Sequence, residues 1–164
     1  MNYCYECGTK LIARELENEG IIPYCTKCGK YRFPIYSSAV SMIVQNPSRN
    51  KVLLIKQYGK PDYVLVAGYI NKGESAENAV IREVREEIGL DVRELKFNKS
   101  EYFKPTNTLM LNFSCIAESE SLDGLNTDEV DFAKWFSFDD AKNNIKQNSL
   151  AQRFLLDYLG QIKN

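Results

Sequence analysis

The sequence predicts a mixed α/β fold, an α/β/α sandwich with helices packed on the faces of a mixed sheet, preceded by a small cysteine-bearing module. Three observations carry this expectation. Four cysteines fall within the first 28 residues as two C-x2-C pairs. Short β-branched apolar runs then alternate with helical patterns along the rest of the chain. One of those patterns, residues 76–88, has a clear amphipathic period.

The cysteine pairs come first, Cys4-x2-Cys7 and Cys25-x2-Cys28, and each is followed by glycine, Gly8 and Gly29. This spacing fits a tetrahedral Cys4 zinc site. Glycine after each pair lets the chain turn tightly, so that backbone N–H groups can approach the sulfurs. Two disulfides are the alternative, but two-residue spacing favours metal or redox chemistry, and one redox C-x-x-C does not account for two pairs. Four thiolates leave no open position, so the zinc is expected to be structural, supplying what a segment of ~35 residues cannot bury for itself. Residues 1–35 are read as a zinc ribbon and 36–164 as a second domain. Cys115, in the apolar run Leu109–Ala117, reads as a small buried residue.

In the second domain, Ala39–Val44 and Val52–Ile55 read as strands joined by the turn residues Asn46-Pro47-Ser48-Arg49-Asn50. Tyr63–Val66 reads as a further strand ending at Ala67-Gly68. Residues 76–88 read as a helix with Ser75 as N-cap and Gly89 at its end. Glu101–Tyr102 and Thr108–Ile116 read as strands around a turn at Pro105, and Phe132–Phe136 as a short one. Two helices close the chain: Asp139–Ile145 after Ser137-x2-Asp140, and Leu150–Leu159 after Ser149-x2-Gln152, stopping at Gly160.

Composition narrows the chemistry. The 164 residues are 44% hydrophobic and 26% charged, as in a globular protein. A net charge of −1 provides no general field for nucleic acid. No apolar run approaches the ~20 residues that span a bilayer, and Met1–Lys10 lacks the apolar core of a secretion signal, so the chain is read as cytoplasmic. There is no histidine. Ser-His-Asp and Cys-His machinery are thereby excluded, leaving acid–base work to carboxylates, Lys, Tyr or metal-bound water.

Function is most visible on the helix at 76–88. Ala76, Val80, Val84 and Ile88 form its apolar stripe, and Glu83, Glu86 and Glu87 fall together in an arc beside that stripe, Glu87 almost upon it. An ordinary charged helix places its acids opposite the core. Three acids at i, i+3 and i+4 also repel one another. A divalent cation is the natural compensating charge, since Mg2+ takes carboxylate oxygens, waters and substrate phosphates together.

The run Gly68-x5-Glu74-x7-Arg82-Glu83-Val84-x-Glu86-Glu87-x-Gly89-Leu90 resembles the Nudix box, G-x5-E-x7-R-E-U-x-E-E-x-G-U with U aliphatic, at every fixed position. The resemblance implies the Nudix α/β/α sandwich and a site in which Glu83, Glu86 and Glu87 bind Mg2+ or Mn2+. It implies that Arg82 pairs with Glu74 to brace the site, and that water attacks a phosphorus of a nucleoside diphosphate linked to another group. Glu74 and Glu86 are the candidates for general base.

Beyond the box, the chain is similar to the NADH pyrophosphatase branch, which places a Cys4 zinc ribbon before its Nudix domain. Leu65-Val66-Ala67-Gly68-Tyr69 resembles that branch's L-V-A-G-F, and implies that Ala67, Gly68 and Tyr69 face the substrate, with Tyr69 stacking on a base or simply packing in its loop. Glu129-x3-Ala133-x-Trp135 resembles E-x-x-x-A-x-W and implies Glu129 as a further metal ligand. Asn148-Ser149-Leu150-Ala151 resembles the branch's S-I-A turn and implies Ser149 and Ala151 at the substrate. NAD(H), cleaved to NMN(H) and AMP, is the implied substrate, and a homodimer the implied assembly. One departure stands out: the branch's S-Q-P-W-P-F-P-x-S is here Ser100-Glu101-Tyr102-Phe103-Lys104-Pro105-Thr106-Asn107-Thr108. ADP-ribose, nucleotide sugars, nucleoside triphosphates and NAD-capped RNA ends therefore stay open, the last disfavoured by the weak net charge. A non-catalytic nucleotide-binding module is the remaining alternative, at odds with an intact set of box carboxylates.

Overall fold

The computed structural model describes residues 2–162, so Met1, Lys163 and Asn164, at the ends of the two expected domains, lie outside the described residues. One compact unit extends to Tyr36 and a second begins at Ser37.

The first unit is an antiparallel three-stranded sheet of β1 (Ile12–Leu16), β2 (Gly20–Cys25) and β3 (Lys30–Tyr31). Its two cysteine turns are built alike. Gly8 N–H donates to the Cys4 carbonyl at 2.8 Å and Gly29 N–H to that of Cys25 at 2.9 Å, with both glycines in the left-handed region. A side chain there is strained, which is why glycine follows each pair.

In the second unit β4 (Ser37–Gln45) is the central strand. It pairs antiparallel with β6 (Val66–Tyr69) and, at its end, with β5 (Lys51–Gln57). On its other edge it runs parallel to β8 (Thr108–Ala117), which continues antiparallel to β7 (Val92–Phe103). Strand β9 (Val130–Ser137) closes the far edge against β5. Alternate residues of β4 face opposite ways, as strand geometry requires. Val40, Met42 and Val44 enter one core and Ile43 the other. The first core is covered by α1 (Ala76–Ile88), the second by α2 (Phe138–Asn144) and α3 (Leu150–Gln161). The result is a mixed sheet with helices on both faces. Burial on both sides explains why β4, apart from Ser41, and β5 read as apolar runs without alternation. No helix among the described residues is long and apolar enough to cross a membrane.

Three expectations are corrected. The strand expected at Tyr63–Val66 forms at Val66–Tyr69. Tyr63 and Val64 make only isolated bridges, to Ile145 and Ile55, and pairing with β4 starts at Val66. Strand β7 begins nine residues before Glu101, at Val92. It is a charged edge strand, bulged at Arg93/Lys96 and Phe97/Lys99, so it carries no clean alternation. Finally, α3 runs through Gly160 to Gln161, since glycine in a last exposed turn is only a modest penalty.

Helix α1 has the ends its sequence requires. Ser75 Oγ accepts from Asn78 N–H at 3.2 Å, and Gly89, at φ 74°, donates to the Arg85 carbonyl. Gly89 also lies against Gly124, where a Cβ would stand 2.5 Å from that residue's carbonyl oxygen. The left-handed conformation alone costs a side chain about 1–2 kcal/mol. Gly89→Ala is therefore expected to lose more than that, read as a lower urea midpoint with unchanged slope.

Candidate active site

The segment from β6 into α1 brings the carboxylates together around one arginine. Arg82 donates from Nε and Nη2 to the two oxygens of Glu74, at 2.8 and 2.9 Å. Its Nη1 reaches Glu83 at 2.7 Å and Glu86 at 2.9 Å, and Nη2 also reaches the Tyr69 carbonyl at 2.9 Å. Glu74 accepts a further bond from Asn71 N–H. The Arg82 guanidinium and this N–H hold the Glu74 carboxyl down to about 2. The guanidinium thus ties the loop to the helix, and Glu74 is fully occupied in holding it.

Glu83 and Glu87 lie on the buried side of α1. Burial raises both carboxyls, that of Glu87 to about 8, with Glu83 and Glu129 adding repulsion and a 3.2 Å bond from Gln57 Nε2 partly opposing. Gly68 explains how Glu83 fits. A Cβ at Gly68 would sit 1.9 Å from the Glu83 carboxyl carbon, so any other residue would move the acid from this position. Acids buried without a matching cation are costly in a protein interior, and a divalent ion suits such a donor set.

Glu83, Glu86, Glu87 and Glu129 line one cavity of about 550 Å³ with Ala67, Gly68, Tyr69 and Arg82. The four carboxylates share its wall without three of them converging as closely as the cysteines do. Arg82 engages Glu83 and Glu86 and draws them toward itself. Ser149 and Ala151 do not line the cavity. Ser149 caps α3, accepting from Gln152 N–H at 3.0 Å and donating to the Lys146 carbonyl, and Ala151 packs on the second core. Leu150, between them, reaches the cavity instead.

Several lining residues were not singled out from the sequence: Gln57, Tyr58 and Asn71, and from the departing segment Phe103, Thr106 and Thr108. The available signals were a polar glutamine ending the apolar strand β5 and the altered stretch 100–108 itself.

The raised Glu87 carboxyl has a measurable consequence. Its folded value lies above the ordinary one, so it favours the folded state fully below the ordinary carboxylate range and loses that contribution as pH rises through about 8. A bound cation removes the loss. Added Mg2+ is therefore expected to raise the melting temperature more at pH 8.5 than at pH 6, measured by calorimetry on the zinc-loaded protein.

In the first unit the four cysteine sulfurs lie within 4.8 Å of one another, Cys4 and Cys25 buried. Thr9 draws the Cys7 thiol down to about 6, while the neighbouring sulfurs push Cys28 up to about 12. Four sulfurs this close cannot all ionise without a cation between them, and two-residue knuckles at this distance fit tetrahedral zinc. Buried Arg32 supports the cluster, with Nε 3.2 Å from Cys4 Sγ and Nη2 2.7 Å from Glu6.

Comparison with known proteins agrees with this geometry. The NUDIX domain family model matches residues 35–158. The chain is 33% identical over 161 residues to the NAD-capped RNA hydrolase NudC of Pseudomonas aeruginosa, covering 97% of this chain and 56% of that protein. For the protein of the same description from Stutzerimonas stutzeri the identity is 32% over 162 residues, with the same coverage. The chain thus spans about half the length of these relatives. Among solved structures, a NUDIX hydrolase from Nitrosomonas europaea superposes with a TM-score of 0.66 at 23% identity, over 98% of this chain and 92% of that one. The NUDIX domain of Shewanella oneidensis NrtR, in complex with ADP ribose, gives 0.66 at 15% identity, over 85% and 94%. At such identities these two likenesses speak for the fold alone. The family match, which takes in the sheet, α1 and its carboxylates, is what places this chain: it belongs to the Nudix family.

Proposed function

We propose that residues 36–164 form a metal-dependent hydrolase that cleaves the pyrophosphate bond of a nucleoside diphosphate linked to another group, with NAD(H), split to NMN(H) and AMP, as the leading substrate. The observation that carries this reading is the Arg82-centred group of carboxylates lining a cavity large enough for a nucleotide. Mg2+ or Mn2+ held by Glu83, Glu86, Glu87 and Glu129 would screen the diphosphate and lower the pKa of the attacking water. Arg82 and Glu74 keep the loop and helix in register. Glu74, bonded on both oxygens and held near 2, is poorly placed to take a proton, which leaves Glu86, half exposed to the cavity, as the base. Tyr69, on the wall and 57% exposed, offers a ring to a base, with Ala67 and Gly68 presenting backbone beside it. Ser149 and Ala151 lie outside the cavity wall, and their proposed part in binding is through the backbone of the turn that opens α3 beside Leu150.

Residues 1–35 are proposed as a structural zinc ribbon on Cys4, Cys7, Cys25 and Cys28. A cytoplasmic location and a homodimer complete the reading; sedimentation velocity on the purified chain tests the dimer.

The substrate is tested by chromatographic turnover assays on NADH, NAD+, ADP-ribose, diadenosine polyphosphates, dNTPs and an NAD-capped RNA, with Mg2+ or Mn2+ and with EDTA. Metal-dependent conversion of NADH to NMNH and AMP as the best reaction supports the narrow reading. A second reading has its own support: Phe103, Thr106 and Thr108 line the cavity from the segment that departs from the branch signature. ADP-ribose, a nucleotide sugar or a dNTP as best substrate would place the change of specificity there. Turnover of nothing in the panel would favour a binding module.

A further inference from the structure

We propose that Tyr58 is a substrate-contacting residue, its phenol donating a hydrogen bond to a phosphate oxygen of the metal-bound diphosphate. The inference rests on the proposed hydrolase reading and adds to it a residue that neither the box nor the family resemblance singles out.

The argument begins with the backbone. Strand β5 ends at Gln57 and the chain turns through two successive left-handed residues, Tyr58 at φ 55° and Gly59 at φ 66°. The turn is closed by Lys60 N–H donating to the Gln57 carbonyl at 3.1 Å, and pinned by Gly59 N–H donating to Asp131 at 2.7 Å. Tight turns of this kind favour Asn, Asp or Gly at the first position, because a left-handed backbone crowds a larger side chain. Tyrosine is a strained choice there.

The backbone bonds hold the turn, but the tyrosine side chain itself gains little from the fold. The ring is 70% exposed, so packing does not hold it. Among the described residues the hydroxyl has no hydrogen-bond partner and the ring has no aromatic or cationic neighbour. Yet Tyr58 lines the cavity that holds Glu83, Glu86, Glu87 and Glu129. Strained residues that the fold does not need cluster where ligands bind. A phenol that lines this cavity and has no bond within the fold is a free donor, and the oxygens of a diphosphate brought by a cation to the carboxylates are the acceptors this cavity would receive.

The test uses the full-length, zinc-loaded protein with two variants. Tyr58→Phe keeps the ring and the strain and removes only the hydroxyl. Tyr58→Asn suits the left-handed turn and removes the ring. The proposal expects kcat/KM for the best substrate to fall roughly 10-fold or more in both, the size of a lost bond to a charged oxygen. It expects an unchanged melting temperature for Tyr58→Phe and an equal or higher one for Tyr58→Asn, so that activity and stability move apart. A residue kept for the turn alone would give the opposite pairing. Wild-type kcat/KM in Tyr58→Phe overturns the proposal. Calorimetric binding of ADP with Mg2+ separates this from the wider reading. If the wild type turns over nothing but binds Mg2+-ADP more tightly than Tyr58→Phe, the hydrolase reading fails and the phosphate contact stands. Equal affinities, or no binding by the wild type, overturn the contact.

Discussion

Glu87→Gln is expected to leave the chain folded and to lower kcat by roughly 10³-fold, the size of losing several kcal/mol of metal-assisted stabilisation. The substitution keeps the shape of the side chain and removes its charge. The bond from Gln57 can be re-formed to the amide oxygen, so packing against the first core is kept. Stability should move the other way from activity. Burial and neighbouring acids hold the Glu87 carboxyl near 8, so the ionised form burdens the fold at alkaline pH, and a neutral amide does not. The variant should therefore melt higher than the wild type at pH 8.5 without added Mg2+, and the excess response to Mg2+ at that pH should shrink. Steady-state kinetics on the best substrate and paired calorimetric scans check both. Retained turnover in Glu87→Gln and in Glu86→Gln would remove the box carboxylates from the chemistry.

The second large effect lies in the first unit. Cys25→Ser should abolish stoichiometric zinc and unfold residues up to Tyr36. Cys25 is fully buried, and its Sγ accepts from Cys28 N–H at 3.4 Å and sits 3.5 Å from Cys7 Sγ. The unit has a short sheet and a scant apolar interior, so the proposed zinc would supply its folding energy, about 10–16 kcal/mol in comparable zinc peptides. Metal content by atomic emission and hydrogen exchange across β1 and β2 read the result. Zinc retained at one per chain with protected strands would show that the cysteines are not its ligands.

What could be read in advance followed from local physics. Helix α1 was legible because period, N-cap and terminal glycine agree, and Ser75 and Gly89 bound it as expected. The apolar runs of β4 and β5 were legible because burial on both faces removes polar residues and the turn residues 46–50 separate them. Strand β7 was not, because its pairing with β8 is a backbone matter and its exposed side chains carry no period. In the site, Glu74, Arg82 and the box glutamates share one loop and helix, so their spacing nearly determines their meeting. Gln57 and Tyr58 are different. They reach the cavity through a bulge between Lys56 and Gln57 and the left-handed turn that follows, neither of which has a sequence period. Ser149 was legible as the N-cap of α3, which its hydroxyl fills.

The parallel pairing of β4 with β8 bears on how the chain assembles itself. Ser37 lies opposite Thr108 and Gln45 opposite Ile116, so the middle of the sheet joins segments about seventy residues apart. Closing so large a loop carries an entropic penalty that local hairpins avoid. On a ribosome, the β4–β5 hairpin and helix α1 would emerge well before the strand that completes the sheet. Until β8 arrives, one edge of β4 stays open, apolar on both faces, and exposed to other chains. The vulnerable interval in this protein's synthesis is therefore the time between the emergence of β4 and that of β8 from the ribosome, and a pause that prolongs it should increase aggregation more than a pause after β8 has emerged.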